Sequence, residues 1–172
     1  EVARHVSGGT LVVATVATKE SRTVYESYER AFTRAGLPSP AHLSIDSRDE
    51  ALDPACLEAL DGATGVFFTG GDQLRITSQI GDTPVENRIR EIYQAGGVIA
   101  GTSAGASALC GVMLVHGEGN DSRPPDELRM APGLGFIRGV IIDQHFAQRG
   151  RMARLLGAVA LNPRELEIGI DE

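Results

Sequence analysis

Lysine is nearly missing from this chain: Lys19 is the only one in 172 residues, so a Schiff-base or phosphate-loop lysine would have to be that residue. Cysteine is also scarce. Cys56 and Cys110 cannot build a disulfide framework, and Cys110, set in an apolar stretch, reads as a buried structural thiol. A reducing, cytoplasmic compartment is therefore expected. No hydrophobic run approaches the ~18 residues of a membrane span, which excludes a transmembrane reading. Positive charge is in deficit, with 16 basic against 23 acidic residues and a net charge of −7. A phosphate backbone would meet no general attraction, so nucleic acid is not an expected partner, and neither is a membrane. Internal repeats, linkers and low-complexity tracts are absent. No signal peptide is visible, and because the chain opens at Glu1 rather than methionine an upstream segment is expected.

The composition that remains, 42% hydrophobic and 23% charged, is that of a globular protein, and the length suits one domain spanning 1–172. Residues 11–18 (LVVATVAT) form a β-rich apolar run. Residues 20–35 then place Val24, Tyr28, Ala31, Phe32 and Ala35 on one helical face, ended by Gly36. The alternation repeats. A short mixed segment at 41–46 precedes an Asp-Pro helix start at 53–60, and 64–69 (TGVFFT) is a strand closed by Gly70-Gly71. A helix over 83–95, a buried strand over 97–102 and a helix over 103–111 follow. Gly, Pro and acidic residues mark 112–135 as an excursion. A strand at 139–143, a helix at about 149–161 and a last strand at 166–170 complete the pattern. Strands separated by helices need crossover connections, so the expected architecture is α/β, a mainly parallel sheet with helices on both faces.

Ligands of such sheets collect at the carboxyl ends of the strands. Three polar groups fall there: Gly70-Gly71-Asp72-Gln73, Thr102-Ser103-Ala104-Gly105 and Asp143-Gln144-His145. Gly101-Thr102-Ser103-Ala104-Gly105 matches the G-x-S-x-G pattern in its required setting, with an apolar strand before it and an Ala-rich helix after it. Its glycines permit a sharp turn, and the helix start offers free N–H groups near Ser103. A plain glycine-rich turn with Ser103 as helix cap is the competing reading. A serine nucleophile needs a base. Of His5, His42, His116 and His145, only His145 follows a strand end in the middle of the expected sheet. His5 lies at a terminus and His42 begins a strand. His116 opens His-Gly-Glu118, a fragment of a zinc deaminase signature without its Pro-Cys-x-x-Cys, so no metal and no other cofactor is expected. The base must be oriented, and Gly169-Ile170-Asp171-Glu172 puts carboxylates at the end of the last strand. The order Ser103, His145, Glu172 differs from the Ser–Asp–His order of α/β-hydrolases.

Taken together, GGDQ (70–73), GTSAGA (101–106), DQHFAQRGRMARL (143–155) and GIDE (169–172) resemble the cyanophycinases, in the serine peptidase family that includes the aspartyl dipeptidases. The likeness is strong from about residue 64 onward and more diffuse over 9–63. It implies a glutamine-amidotransferase-like, flavodoxin-like sandwich with Ser103 as nucleophile, His145 as base and Glu172 as its orienter. It carries pocket roles onto Gln73, Asp143, Gln144, Arg149, Arg151 and Arg154, and it implies a homodimer. In the family an opening strand with a glycine-rich turn would precede Glu1, and further strands would follow Glu172.

The resemblance implies hydrolysis of cyanophycin, a poly-aspartate backbone carrying arginine on each β-carboxyl group, to β-Asp-Arg dipeptides. On that reading the arginines would hold substrate carboxylates, while Asp143 or other acids would face substrate guanidinium groups. The oxyanion would meet the backbone N–H groups of Ala104 and Gly71. The rival readings are a dipeptidase for aspartyl peptides and a non-catalytic binding module of the same fold. Class I glutamine amidotransferases carry cysteine at the position of Ser103, and no complete G-x-G-x-x-G supports dinucleotide binding.

Overall fold

A computed structural model describes residues 1–6, 8–116 and 128–171. The chain forms two compact units, Glu1–Gly105 and one beginning at Ala106.

The first unit is a four-stranded parallel sheet. After a short helix, α1 (Val2–His5), the strands are β1 (Thr10–Ala14), β2 (Ala41–Leu43), β3 (Ala63–Phe68) and β4 (Val98–Gly101), in the order β2-β1-β3-β4. Leu11 to Ala14 and Gly65 to Phe68 are buried without interruption, as strands covered on both faces must be. On one face, Tyr28 and Phe32 of helix α2 (Ser21–Arg34) meet the Phe67 ring at 5.2 and 5.1 Å, in a cluster with Val6, Leu11 and Leu37. These are two members of the stripe expected from periodicity. Phe68 and Val66 point to the opposite face, and helix α5 (Pro84–Gln94) packs against β3 and β4.

The expected helix over 53–60 is a 3-10 turn over Pro54–Leu60, led by Asp53, whose side chain accepts from Ala55 N. Besides α1, two further helices of this unit are not expected from the sequence. One is α3 (Arg48–Leu52), capped by Ser47, whose side chain accepts from Glu50 N while Glu50 accepts from Asp46 N. The other is α4 (Gln73–Ile80), capped by the Asp72 side chain. Both begin with a capping residue rather than with an apolar stripe. β1 is shorter than its apolar run because Thr15 to Thr18 turn away, Thr18 N–H donating to Thr15 O at 3.1 Å.

In the second unit, β5 (Val112–His116) and β6 (Arg129–Pro132) pair antiparallel, with Leu114 opposite Met130. The excursion expected over 112–135 therefore contains a strand pair. The run Val112-Met-Leu-Val is a strand signal hidden by its Gly, Pro and acidic neighbours, while 117–127, including Glu118, lie outside the described residues. β7 (Val140–Gln144) and β8 (Leu166–Ile170) pair in parallel, joined through helix α7 (Met152–Leu161). Their core is Leu114, Ile141 and Ala158, flanked by Met130 and Leu155. Cys110 is fully buried and its thiol is pushed up by that burial, in keeping with an inert structural role. No helix among the described residues is long and apolar enough to cross a membrane.

The turn from β4 into helix α6 (Ala104–Ala108) is set by close backbone packing. A Cβ on Gly105 would stand 2.3 Å from the Phe68 carbonyl oxygen, an atom with no freedom to retreat. Gly105→Ala is expected to lower stability by about 1–3 kcal/mol, read as a drop in urea midpoint.

Candidate active site

The first unit carries the serine. Ser103 lies between β4 and α6 with φ +52°, a left-handed conformation that a non-glycine residue adopts only when its surroundings impose it. Those surroundings are visible: Thr102 N–H donates to Phe68 O at 3.1 Å and Gly105 N–H to Thr102 O at 2.8 Å. Beside it runs the turn after β3. A Cβ on Gly70 would stand 3.3 Å from Ser103 Cβ and 3.6 Å from Ser103 Oγ, so this turn runs in contact with the serine. Gly71 has φ +143°, and a Cβ there would lie 2.3 Å from Ala17 O. The same carbonyl accepts from Asp72 N–H at 2.9 Å, fixing the Gly-Gly turn against the turn that follows β1. Ala104 and Gln73 are both buried. Ser103, Ala104, Gly70, Gly71 and Gln73 thus occupy the carboxyl ends of adjacent parallel strands.

The second unit carries the histidine. His145 directly follows β7 with φ +49°. Its turn is tied on several sides: Phe146 N–H donates to Ile170 O at 3.1 Å, Arg149 N–H to His145 O at 3.1 Å, and Ala147 N–H to Asp171 Oδ1 at 2.8 Å. Gly169 belongs to the same device, because a Cβ there would lie 2.4 Å from the Phe146 ring. The end of β8 therefore shapes the histidine turn through Gly169, Ile170 and Asp171. Glu172, expected to orient the imidazole, lies outside the described residues.

Asp143 is completely buried. Arg154, in the first turn of α7, holds it with both arms of its fork, Nε to Oδ2 at 3.0 Å and Nη2 to Oδ1. Arg151 Nη1 reaches Asp143 Oδ1 at 3.3 Å and also donates to the carbonyl oxygen of Gln144, the residue just before His145. Arg151 is held below the usual guanidinium range by burial, then by the Arg154 charge beside it. Asp143, Gln144, Arg151 and Arg154 thus form one buried cluster, whereas Arg149 is exposed. The aspartate faces the protein's own arginines, where the sequence suggested a substrate guanidinium.

Sequence reasoning missed Glu167. Both of its carboxyl oxygens are buried with no hydrogen-bond partner among the described residues. It stands opposite Ile141 on β7, two residues from Asp143 along that strand. Burial, and then the Asp143 charge, raise its carboxyl from the ordinary 4.5 to about 7. The β8 sequence hides this, since a glutamate on a half-exposed strand usually faces water. Among the described residues no group of three His, Cys, Asp or Glu side chains is placed to hold a metal ion.

A family model, Peptidase family S51, matches residues 11–172. A cyanophycinase of Geminocystis herdmanii is 38% identical over 98% of this chain and 63% of its own length. A cyanophycinase of Trichormus variabilis is 42% identical over 91% of this chain and 53% of its own length. The chain thus spans between half and two thirds of these relatives. The crystal structure of a peptidase from an acI-B1 Actinobacterium superposes with a TM-score of 0.71 at 27% identity, covering 99% of this chain and 72% of that one.

Removing one partner of a buried ion pair leaves a charge without its counter-ion. Arg154→Met is expected to cost about 3–5 kcal/mol in urea denaturation. Glu167 generates a pH dependence of its own. The folded chain binds its proton more tightly than the unfolded chain, so this stabilisation is complete below pH 4.5 and lost as pH rises toward 7. Urea midpoints of Glu167→Gln are expected to fall less across that window than those of the unaltered protein.

Proposed function

Since the chain belongs to peptidase family S51, we propose that the protein is a serine-type hydrolase that cleaves the cyanophycin backbone to β-Asp-Arg dipeptides through an acyl-enzyme. The observation that carries this reading is the strained Ser103, left-handed at the carboxyl end of β4 with the Gly70-Gly71 turn alongside. The substrate class follows from the relatives named cyanophycinase, at 38% and 42% identity.

In the proposed mechanism His145 takes the Ser103 hydroxyl proton as Oγ attacks the scissile carbonyl carbon, and Glu172 orients the imidazole and stabilises its charged form. The tetrahedral oxyanion accepts from the N–H groups of Ala104 and Gly71. Collapse expels the amine, which takes the proton from His145, and leaves an ester on Ser103. Water, activated by the same histidine, then releases the acid product.

Gln73, Asp143, Gln144, Arg149, Arg151 and Arg154 make up the substrate pocket of this proposal, with roles the geometry helps to divide. Arg149, the exposed arginine, is the first choice for a substrate carboxylate. The Asp143–Arg154–Arg151 cluster holds the strand end that carries His145. A single peptidase domain, a homodimer and a cytoplasmic location complete the reading; two free cysteines suit a reducing compartment.

The test is incubation with insoluble cyanophycin, reading released β-Asp-Arg by mass spectrometry. The unaltered protein should release it, and Ser103→Ala should fold normally while turnover falls by about 10³-fold or more. Near-normal release by that variant would remove Ser103 from the mechanism. Cleavage of short aspartyl peptides without attack on the polymer would favour the dipeptidase reading.

A further inference from the structure

On the opposite edge of the first unit's sheet lies a cleft of about 430 Å³, lined by Arg22, Tyr25, Glu26, Glu29, Arg30 and His42. The mechanism above uses none of these residues. Ser103 follows β4 while His42 lies in β2, with β1 and β3 between them. Three strand spacings, ~14 Å, therefore separate the two positions across the sheet.

The floor of the cleft is fixed. The rings of Tyr25 and His42 stack with centroids 4.2 Å apart and planes inclined by 16°. Tyr25 Oη donates to Pro40 O at 2.6 Å, and His42 Nε2 lies 2.9 Å from Thr15 Oγ1 and 3.1 Å from Ser21 Oγ. Burial, and then the Arg22 charge, lower the His42 pKa, so the imidazole is neutral at pH 7 and does not repel a cation. A stacked, uncharged aromatic pair is a surface on which a guanidinium group rests favourably.

The wall carries both signs of charge. Arg22, Glu26, Glu29 and Arg30 occupy one stripe of α2. At 1.5 Å of rise per residue, Arg22 and Glu26 are ~6 Å apart along the axis, and Arg22 and Arg30 ~12 Å. Side groups on one face of an extended polypeptide recur every ~7 Å, so two such intervals, ~14 Å, come close to the Arg22–Arg30 separation. The charges are available at little cost: the Arg22–Glu26 pair, at 3.1 Å, has side chains 90% and 45% exposed, and such a pair is worth little to stability. Glu29 is already oriented, accepting from Ser39 Oγ at 2.5 Å.

We propose that this cleft is a second binding site, which takes an extended zwitterionic polymer carrying a carboxylate and a guanidinium on each repeating unit and holds it while Ser103 acts elsewhere along the same chain. The inference rests on the reading of cyanophycin as substrate. Arg22 and Arg30 receive carboxylates two such intervals apart on one face of the polymer, Glu26 and Glu29 a guanidinium group between them, and the Tyr25–His42 pair supports its planar face. A tethered contact of this kind raises affinity for the long polymer and not for a fragment too short to reach both places.

The test is a variant with Arg22→Gln, Glu26→Gln, Glu29→Gln and Arg30→Gln together. It removes two charges of each sign, so the net charge is unchanged. Kinetics are measured on insoluble cyanophycin and on a soluble oligomer of two repeating units, with melting curves to confirm folding. The expected result is a polymer KM raised about tenfold or more with kcat and oligomer hydrolysis unchanged. An unchanged polymer KM, or an equal loss on both substrates, would overturn the second site and leave the peptidase reading intact. Hydrolysis of oligomer but not polymer by the unaltered protein would also overturn it. Hydrolysis of neither substrate would overturn the functional reading together with the site that rests on it.

Discussion

Two residues that must point their side chains outward from a strand end have surrendered ordinary backbone geometry to do so. Ser103 and His145 hold φ at +52° and +49°, each just beyond a parallel strand. Such conformations cost of order 1–3 kcal/mol apiece and persist only where the neighbours leave no alternative. At Ser103 the constraint comes from β3, whose Phe68 carbonyl receives Thr102 N–H and presses on Gly105. At His145 it comes from β8, through the Ile170 carbonyl, the Asp171 carboxylate and the Phe146 ring seated over Gly169. In both cases the adjacent parallel strand enforces the turn, so a candidate catalytic residue is held by the sheet and not by its own loop.

Charge burial is the second theme. Asp143 has no contact with water, which is tolerable only because Arg154 grips both its oxygens and Arg151 adds a further contact. Arg151 also binds the carbonyl just before His145, so neutralising the aspartate and fixing the histidine turn are one arrangement. Glu167 shows the contrasting solution. Lacking a described cationic partner and placed near Asp143, it keeps its proton to about pH 7. The same strand pair thus contains a buried carboxylate paired with two arginines and a carboxyl that burial keeps protonated to about pH 7.

Much of this was legible in the residues. The strands β1, β3, β4, β7 and β8 announce themselves by apolar runs, and α2 and α5 by their stripes. The Ser103 turn is visible because glycine spacing is itself a steric statement. The antiparallel β5–β6 pair was not legible, since Val112 to Val115 are too few to outweigh the Gly, Pro and acidic residues around them. Helices α3 and α4 went unread because a cap such as Ser47 or Asp72 signals a start only once the chain is known to turn there.

The amino-acid order alone determined the alternation of β1, β3, β4, β7 and β8 with α2, α5 and α7, and that Ser103 and His145 follow strands, because these depend on residues a few positions apart. Only the tertiary structure decided what those elements meet: that Asp143 lies beneath α7 within reach of Arg154, that Glu167 turns inward, and that Tyr25 stacks on His42. Each joins residues separated by many positions, and their partners are chosen by the crossovers and strand register of the folded sheet.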